Sequence, residues 1–319
     1  MTARSNRTLR RVLERAATSL ARRGLTEARL DVEVLLGFVL GVSRASLVAR
    51  DDEPIDAQSR AVFADLLRRR ARRVPVAYLV GSKEFFGRAF RVDARVLVPR
   101  PETETLVEQA LSWSRGRDGP LDVLDVGTGS GCIGITLVLE QPRLRCVAID
   151  ASDGAVDCAR ANASALGAGE RFEAHAVALE AWSAAQSFDL IVSNPPYVEP
   201  GDRCDPETSH EPDLALRGAS GPFPAIYDAL LTCARNGLRP GGALMVEIGA
   251  GQAEVVTRRF EQSELFARVE CAIDLAGIPR VVIGHAASAG HTEPTSTSFS
   301  RGACGRTLRG RRGFRPAGR

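Results

Sequence analysis

The chain has 319 residues, 44% of them hydrophobic and 25% charged, which is enough apolar material for a globular protein of about two domains and too much for a disordered one. A net charge of +3 supplies no global field for nucleic acid, no apolar run reaches membrane-spanning length, and Met1-Thr2-Ala3-Arg4-Ser5 leads into an arginine-studded helix pattern without the apolar segment of a secretory signal. Seven cysteines (Cys132, Cys146, Cys158, Cys204, Cys233, Cys271, Cys304) show neither paired spacing nor partnered histidines, so reduced thiols in a cytoplasmic protein are expected and a metal site is not.

Residues 1–75 read as an N-terminal helical bundle domain. Leu9, Val12, Leu13, Ala16, Ala17 and Leu20 recur at helical spacing, and Leu30, Val32, Val34, Leu35, Phe38 and Val39 do so again before Gly41. A third helix, from Asp56 to about Arg72, is expected to bury Ala61, Val62, Ala64, Leu66 and Leu67 while Arg68 to Arg70 face water. Residues 76–104 form a connector in which 84–92 and 94–98 look like the strands of a short hairpin. The run Pro99-Arg100-Pro101-Glu102-Thr103-Glu104 stops the second of these, and Glu102 or Thr103 opens the helix that carries Leu106, Val107 and Ala110.

Over residues 105–285 strands and helices alternate. Strands are predicted at 121–126, 144–150, 171–177, 188–193, 243–248, 267–273 and 280–283, with helices at 132–139, 155–166, 226–236 and 252–260. That alternation implies an α/β domain, a mostly parallel sheet covered by helices on both faces. The irregular stretch from Val198 to Pro222 is long enough to be a lid. Residues 286–319 lose the periodicity and carry seven arginines with no acid after Glu293, so a disordered basic tail is expected there.

Two segments carry chemistry. In Gly127-Thr128-Gly129-Ser130-Gly131, between a strand and a helix, the glycines let the backbone turn tightly and approach a nucleotide. Asp150 ends the next strand about 20 residues on, where a carboxylate accepts both ribose hydroxyls of an adenosine. Gly129-x-Gly131-x-x-Gly134 also fits a dinucleotide pattern, so the loop alone leaves dehydrogenase and methyltransferase open. The second segment, Asn194-Pro195-Pro196-Tyr197, follows the strand at 188–193. Asn194 offers a side-chain oxygen and Pro195 a carbonyl oxygen, two acceptors for the two N–H donors of a planar NH₂ group. Both precede a proline, which holds them extended before substrate arrives, and the Tyr197 ring can stack on a planar amide or base. Acceptors of that kind suit a nitrogen nucleophile and give a hydride donor nothing to work with. The implied co-substrate is S-adenosylmethionine, whose methyl group is already electrophilic and needs only to be aligned.

With these residues in view the chain resembles the N5-glutamine methyltransferases that modify peptide-chain release factors. The resemblance rests on Pro75-Val76-Ala77-Tyr78 with Gly81, Glu84-Phe85 with Gly87, Val96 to Glu104, Asp125 to Gly131, Asp150, Val192 to Tyr197, Glu211-Pro212 and Asp274-Leu275-Ala276-Gly277, and spans about residues 25–285. It implies a seven-stranded, Rossmann-like class I methyltransferase sheet with an antiparallel last strand, preceded by a helical domain that docks the substrate. The implied acceptor is the glutamine of a Gly-Gly-Gln loop in class I release factors. Gly127, Thr128, Gly129, Ser130, Gly131 and Asp150 would then hold the cofactor, and Asn194, Pro195, Pro196 and Tyr197 the amide, with Asn194 touching both. The alternatives weighed are a glutamine methyltransferase of ribosomal protein L3, which typically lacks the ending seen at Pro101 to Glu104, and an adenine-N6 methyltransferase of DNA or RNA, for which 5% aromatic residues are few. A monomer is expected, with no membrane and no specific nucleic-acid partner. The family's adenine contact has no clear match here: Leu179 and Trp182 are both candidates, and the tail past 286 has no family role.

Overall fold

A two-residue turn, three layers and a small bundle organise the computed structural model, which describes residues 8–183, 186–199, 201, 205–218 and 223–288. The tail expected to be disordered falls outside the described residues from 289 onward.

The chain begins with α1 (Leu9–Ala21), α2 (Ala28–Leu40), α3 (Arg44–Ala49), α4 (Ala57–Arg70) and α5 (Val76–Val80). Asp56 accepts the Gln58 and Ser59 amides at 2.9 Å and so opens α4, while Gly41 closes α2 in the left-handed region. Leu9, Leu13, Leu20, Val32, Leu35, Phe63 and Leu66 pack into one core, and Leu79 of α5 joins it beyond the expected boundary at residue 75. Three expectations are corrected here. In α2, Leu30 and Phe38 are exposed while Asp31 and Glu33 are buried. In α4, Phe63 replaces Ala61 and Val62 as the inward residue, Ala61 and Val62 being exposed. Arg70 does not face water: it is buried, and its Nε donates to Asp31 Oδ2 at 2.8 Å. The first and third share a cause. Hydrophobic periodicity ranks charges as outward, but a charge that finds its partner across the bundle can occupy the inner face.

The connector holds one antiparallel hairpin, β1 (Ser82–Phe85) and β2 (Arg88–Arg91). Phe86 and Gly87 both have positive φ, +50° and +72°, the mirror-image turn whose twist matches a two-residue hairpin. The expected strand over 84–92 is therefore broken in the middle by this turn, and residues 94–98, its expected partner, are irregular because the pairing closes within 82–91. Val92, Val96 and Val98 pack instead against Ala155 and Cys158. The buried Asn162 fastens this connector down: its Oδ1 accepts the Arg91 amide at 2.8 Å, and its Nδ2 donates to the carbonyls of Arg91 at 3.0 Å and Ser130 at 2.8 Å.

Next come α6 (Glu104–Arg115), β3 (Leu121–Val126), α7 (Cys132–Glu140), β4 (Leu144–Asp150), α8 (Asp153–Leu166), β5 (Phe172–Ala176) and β6 (Phe188–Ser193). After the short α9 (Asp213–Arg217) follow α10 (Ala225–Gly237), β7 (Leu238–Glu247), α11 (Ala253–Gln262), β8 (Phe266–Ile273) and β9 (Pro279–Ala286). The seven strands from β3 onward form one sheet in the order β5-β4-β3-β6-β7-β9-β8. Pairing is parallel up to β7, and β9 is antiparallel to both of its neighbours. Leu106, Ile135, Val156 and their neighbours cover one face, and Tyr227, Leu230, Val256 and Phe260 the other. Covered on both sides, β3 and β6 are each buried at every position but the second, Asp122 and Asp189. Among the described residues no helix is long and apolar enough to cross a membrane.

Candidate active site

Strand order reverses between β3 and β6, and in an open α/β sheet ligands bind beyond the carboxyl ends of the strands at such a switch point. The turn after β3 and the tetrapeptide after β6 are neighbours there, since Val126 pairs with Ser193 and the Ser193 hydroxyl donates to the Val126 carbonyl at 2.8 Å. Gly127, Gly129, Asp150, Asn194, Pro195 and Pro196 line a single crevice.

Within the glycine turn the roles divide. Gly127 and Gly129 have φ of +73° and +56°, and a Cβ on either would project into open space rather than into protein, so both leave room against the backbone for a ligand. Thr128 and Ser130 are buried and absent from the crevice wall. The Thr128 hydroxyl donates to Asp125 Oδ2 at 2.7 Å, and the Gly134 amide donates to the same oxygen at 3.1 Å, which ties the turn to the first turn of α7. Burial pushes the Asp125 carboxyl up to about 6 against these two bonds. Gly131 caps α7 with its backbone facing Ile135 and Ala159, away from the opening.

Asp150 receives the Gly129 amide on Oδ2 and the Ser152 amide on Oδ1, both at 2.9 Å. The cap of α8 is Ser152, whose hydroxyl accepts the Ala155 amide at 3.2 Å. Each Asp150 oxygen keeps a further lone pair on the crevice wall, and burial raises its proton affinity while the two amides hold it down. Two such acceptors fit the two hydroxyl donors of a ribose diol. Both residues left open for the base pack against the cluster under α10, but Leu179 lies on the crevice wall whereas Trp182 does not and tilts against His175.

The tetrapeptide lines two pockets. Asn194 and Pro195 line the glycine crevice, and they also line a second pocket with Leu97, Arg100, Tyr197, Val198 and Thr208. Asn194 Nδ2 donates to Thr103 Oγ1 at 3.1 Å, which leaves Oδ1 as the acceptor it can offer. The Tyr197 carbonyl accepts Gln252 Nε2 at 3.0 Å, and its ring lies against Gly249. Burial pushes the Tyr197 phenol up to about 12, so it remains a neutral donor.

Three groups went unnoticed as site residues. Thr103 was expected only to open a helix, yet it holds Asn194 across 91 positions of sequence. Arg100 donates to the buried Glu211 Oε2 at 2.6 Å, fixing the segment after the tetrapeptide against the start of α6. Glu247 ends β7 one position beyond Val246, which pairs with Ser193, and it is 1% exposed. An acid closing the apolar run Ala243 to Val246 was the available signal for it.

Two family profiles match this chain: the PrmC N-terminal domain over residues 11–81 and the methyltransferase small domain over residues 105–210. A release factor glutamine methyltransferase of Geobacter sulfurreducens is 40% identical to it, the match covering 87% of this chain and 96% of that protein. Another from Cereibacter sphaeroides is 40% identical over 85% and 95% of the two chains, and one from Burkholderia pseudomallei 42% identical over 79% and 90%.

Proposed function

The chain belongs to the release factor glutamine methyltransferases, and on that premise we propose that it transfers a methyl group from S-adenosylmethionine to the side-chain N5 of the glutamine in the Gly-Gly-Gln loop of class I release factors. The observation that carries the mechanism is the shared wall: Asn194 and Pro195 border both the glycine-lined crevice and a second pocket. One oxygen pair can therefore hold the acceptor nitrogen in line with a methyl group delivered from the crevice. Bound S-adenosylmethionine supplies the electrophilic methyl.

The chain's own residues do the rest. Gly127 and Gly129 leave space for the cofactor backbone, Asp150 takes the ribose hydroxyls and Leu179 lies against the base. Asn194 Oδ1 and the Pro195 carbonyl accept the two N–H groups of the glutamine amide. An amide nitrogen is a weak nucleophile because its lone pair is delocalised, and acceptors on both N–H groups favour the positive charge that develops on nitrogen in the transition state. Pro196 fixes the backbone of that pair, and Tyr197 walls the acceptor pocket. The helices α1 to α5 act as the docking domain for the release factor, and the enzyme works as a monomer in the cytoplasm.

Mass spectrometry of a class I release factor incubated with the enzyme and S-adenosylmethionine tests this. One added methyl group on the loop glutamine is expected, and its absence, or methylation of ribosomal protein L3 or of adenine instead, would overturn the assignment.

A further inference from the structure

We propose that Glu247 is a positioning residue for the acceptor amide: its buried carboxylate sets, through the Thr103 hydroxyl, which way round the Asn194 carboxamide stands. The inference rests on the reading of Asn194 as the amide acceptor.

Glu247 is a buried acid that forms no ion pair among the described residues. Neither of its carboxylate oxygens meets a hydrogen-bond partner in ordinary geometry, although the hydroxyls of Thr103 and Tyr197 approach closely enough to lower its proton affinity. Arg280 lies near, but its Nε is engaged by Asp274 Oδ2 at 2.8 Å. A buried carboxylate left in this condition costs stability, and an apolar residue of similar volume would cost none. The group therefore calls for a role beyond packing, and its surroundings supply one.

The chain of groups runs from Glu247 to Thr103 to Asn194. Thr103 Oγ1 accepts from Asn194 Nδ2, so its own hydroxyl hydrogen is free to turn toward Glu247. With Glu247 ionised, that hydrogen is drawn to the carboxylate, the oxygen lone pairs stay on Asn194 Nδ2, and Asn194 Oδ1 faces the acceptor. With Glu247 protonated, the acid donates to Thr103, the Thr103 hydrogen turns to Asn194, and the carboxamide is favoured in its reversed setting. Nδ2 would then confront the N–H donors of the substrate amide, a pairing of donor with donor.

Burial pushes Glu247 up to about 7, with Thr103, Arg280 and Tyr197 lowering it and Glu102 raising it. The other titratable groups around it are Tyr227, whose hydroxyl donates to the Glu247 carbonyl at 3.3 Å, and Cys132, which is raised by burial and by the Glu247 charge. Neither changes charge near neutrality, so the switch is Glu247 itself, and turnover should rise with pH through the neutral range.

The test is Glu247→Gln, with Thr103→Val as a second variant should the first fail to fold. Both are assayed on intact release factor for kcat and KM across the neutral pH range, with S-adenosylmethionine affinity measured by calorimetry. The expected result is a kcat lowered roughly 10- to 100-fold, the scale for removing a group that orients a site residue, and a pH profile that no longer rises through neutrality. Cofactor affinity should stay within about twofold, since Glu247 is absent from the crevice wall. The double variant should be no slower than Thr103→Val alone, because the two act in one chain. A Glu247→Gln enzyme that keeps the parent pH profile overturns the inference, as do strictly multiplicative losses in the double variant. If Asn194→Ala itself turns over normally, the assignment of Asn194 fails first; if Asn194→Ala is inactive while Glu247→Gln matches the parent, the positioning role alone fails.

Discussion

Replacing Arg70 with methionine tests whether the bundle and the segment after the tetrapeptide are held by one buried cation. Arg70 ends α4, its side chain only 5% exposed, and it pairs with Asp31 of α2 (7% exposed) and with Glu207 (28% exposed), which lies beyond the tetrapeptide. The two acids stand to lose unequally. Glu207 can rehydrate, so its share is about 1 kcal/mol or less. Asp31 cannot, and stranding a desolvated charge costs about 3–5 kcal/mol, or a fall in Tm of roughly 6–20 °C in a domain of this size. Asp31 is already raised by burial against the lowering effect of Arg70, and without Arg70 it rises further. An acid raised in the folded state stabilises folding as pH falls, so the deficit should shrink from neutrality toward the carboxylate range. Thermal unfolding of Arg70→Met and of Arg70→Met/Asp31→Leu measures this. The double variant should recover most of the loss by removing the stranded charge. Its KM for release factor should exceed the parent's, because Glu207 remains unhitched and the adjoining Thr208 lines the acceptor pocket. A single variant within about 1 kcal/mol of the parent, or a double variant no more stable than the single, would refute the reasoning.

Asn194→Ala should reduce kcat about 10²- to 10³-fold, the scale for one preorganised group facing developing charge, and cost stability only about 1 kcal/mol through its bond to Thr103; near-normal turnover counts against its role. Asp150→Ala removes a carboxylate that accepts two backbone amides and faces the crevice, so the dissociation constant for S-adenosylmethionine should rise roughly 100-fold by calorimetry, and an unchanged constant excludes the ribose contact. In Gly134→Ala the new Cβ would stand 2.7 Å from Cys146 Sγ, 2.9 Å from the Phe172 ring and 3.0 Å from Asp125 Oδ2. Overpacking of that kind should cost about 1–3 kcal/mol in denaturant unfolding, and a variant as stable as the parent would show that the first turn of α7 is looser than drawn.

What could be read from the residues alone was whatever is encoded locally. The alternation of apolar strands with amphipathic helices from 121 to 286, the glycine turn after β3, the acid at the end of β4 and the proline-locked tetrapeptide after β6 each depend on a few neighbouring positions. The family resemblance rests on the same short blocks. Other choices waited for the tertiary structure, because they join residues that are far apart in the chain. Arg70 reads as one of three surface arginines until Asp31, 39 positions away, is brought against it. Leu179 and Trp182 are three positions apart and both pack under α10, and only the short turn between β5 and β6 brings the first and not the second to the crevice wall. Glu247 closes an apolar strand like any terminal acid, and it matters only because the parallel pairing of β6 with β7 sets it beside the tetrapeptide and behind Thr103. Periodicity records how apolar each residue is, whereas whether a buried charge survives depends on which partner folding delivers, and that information is held in contacts rather than in spacing.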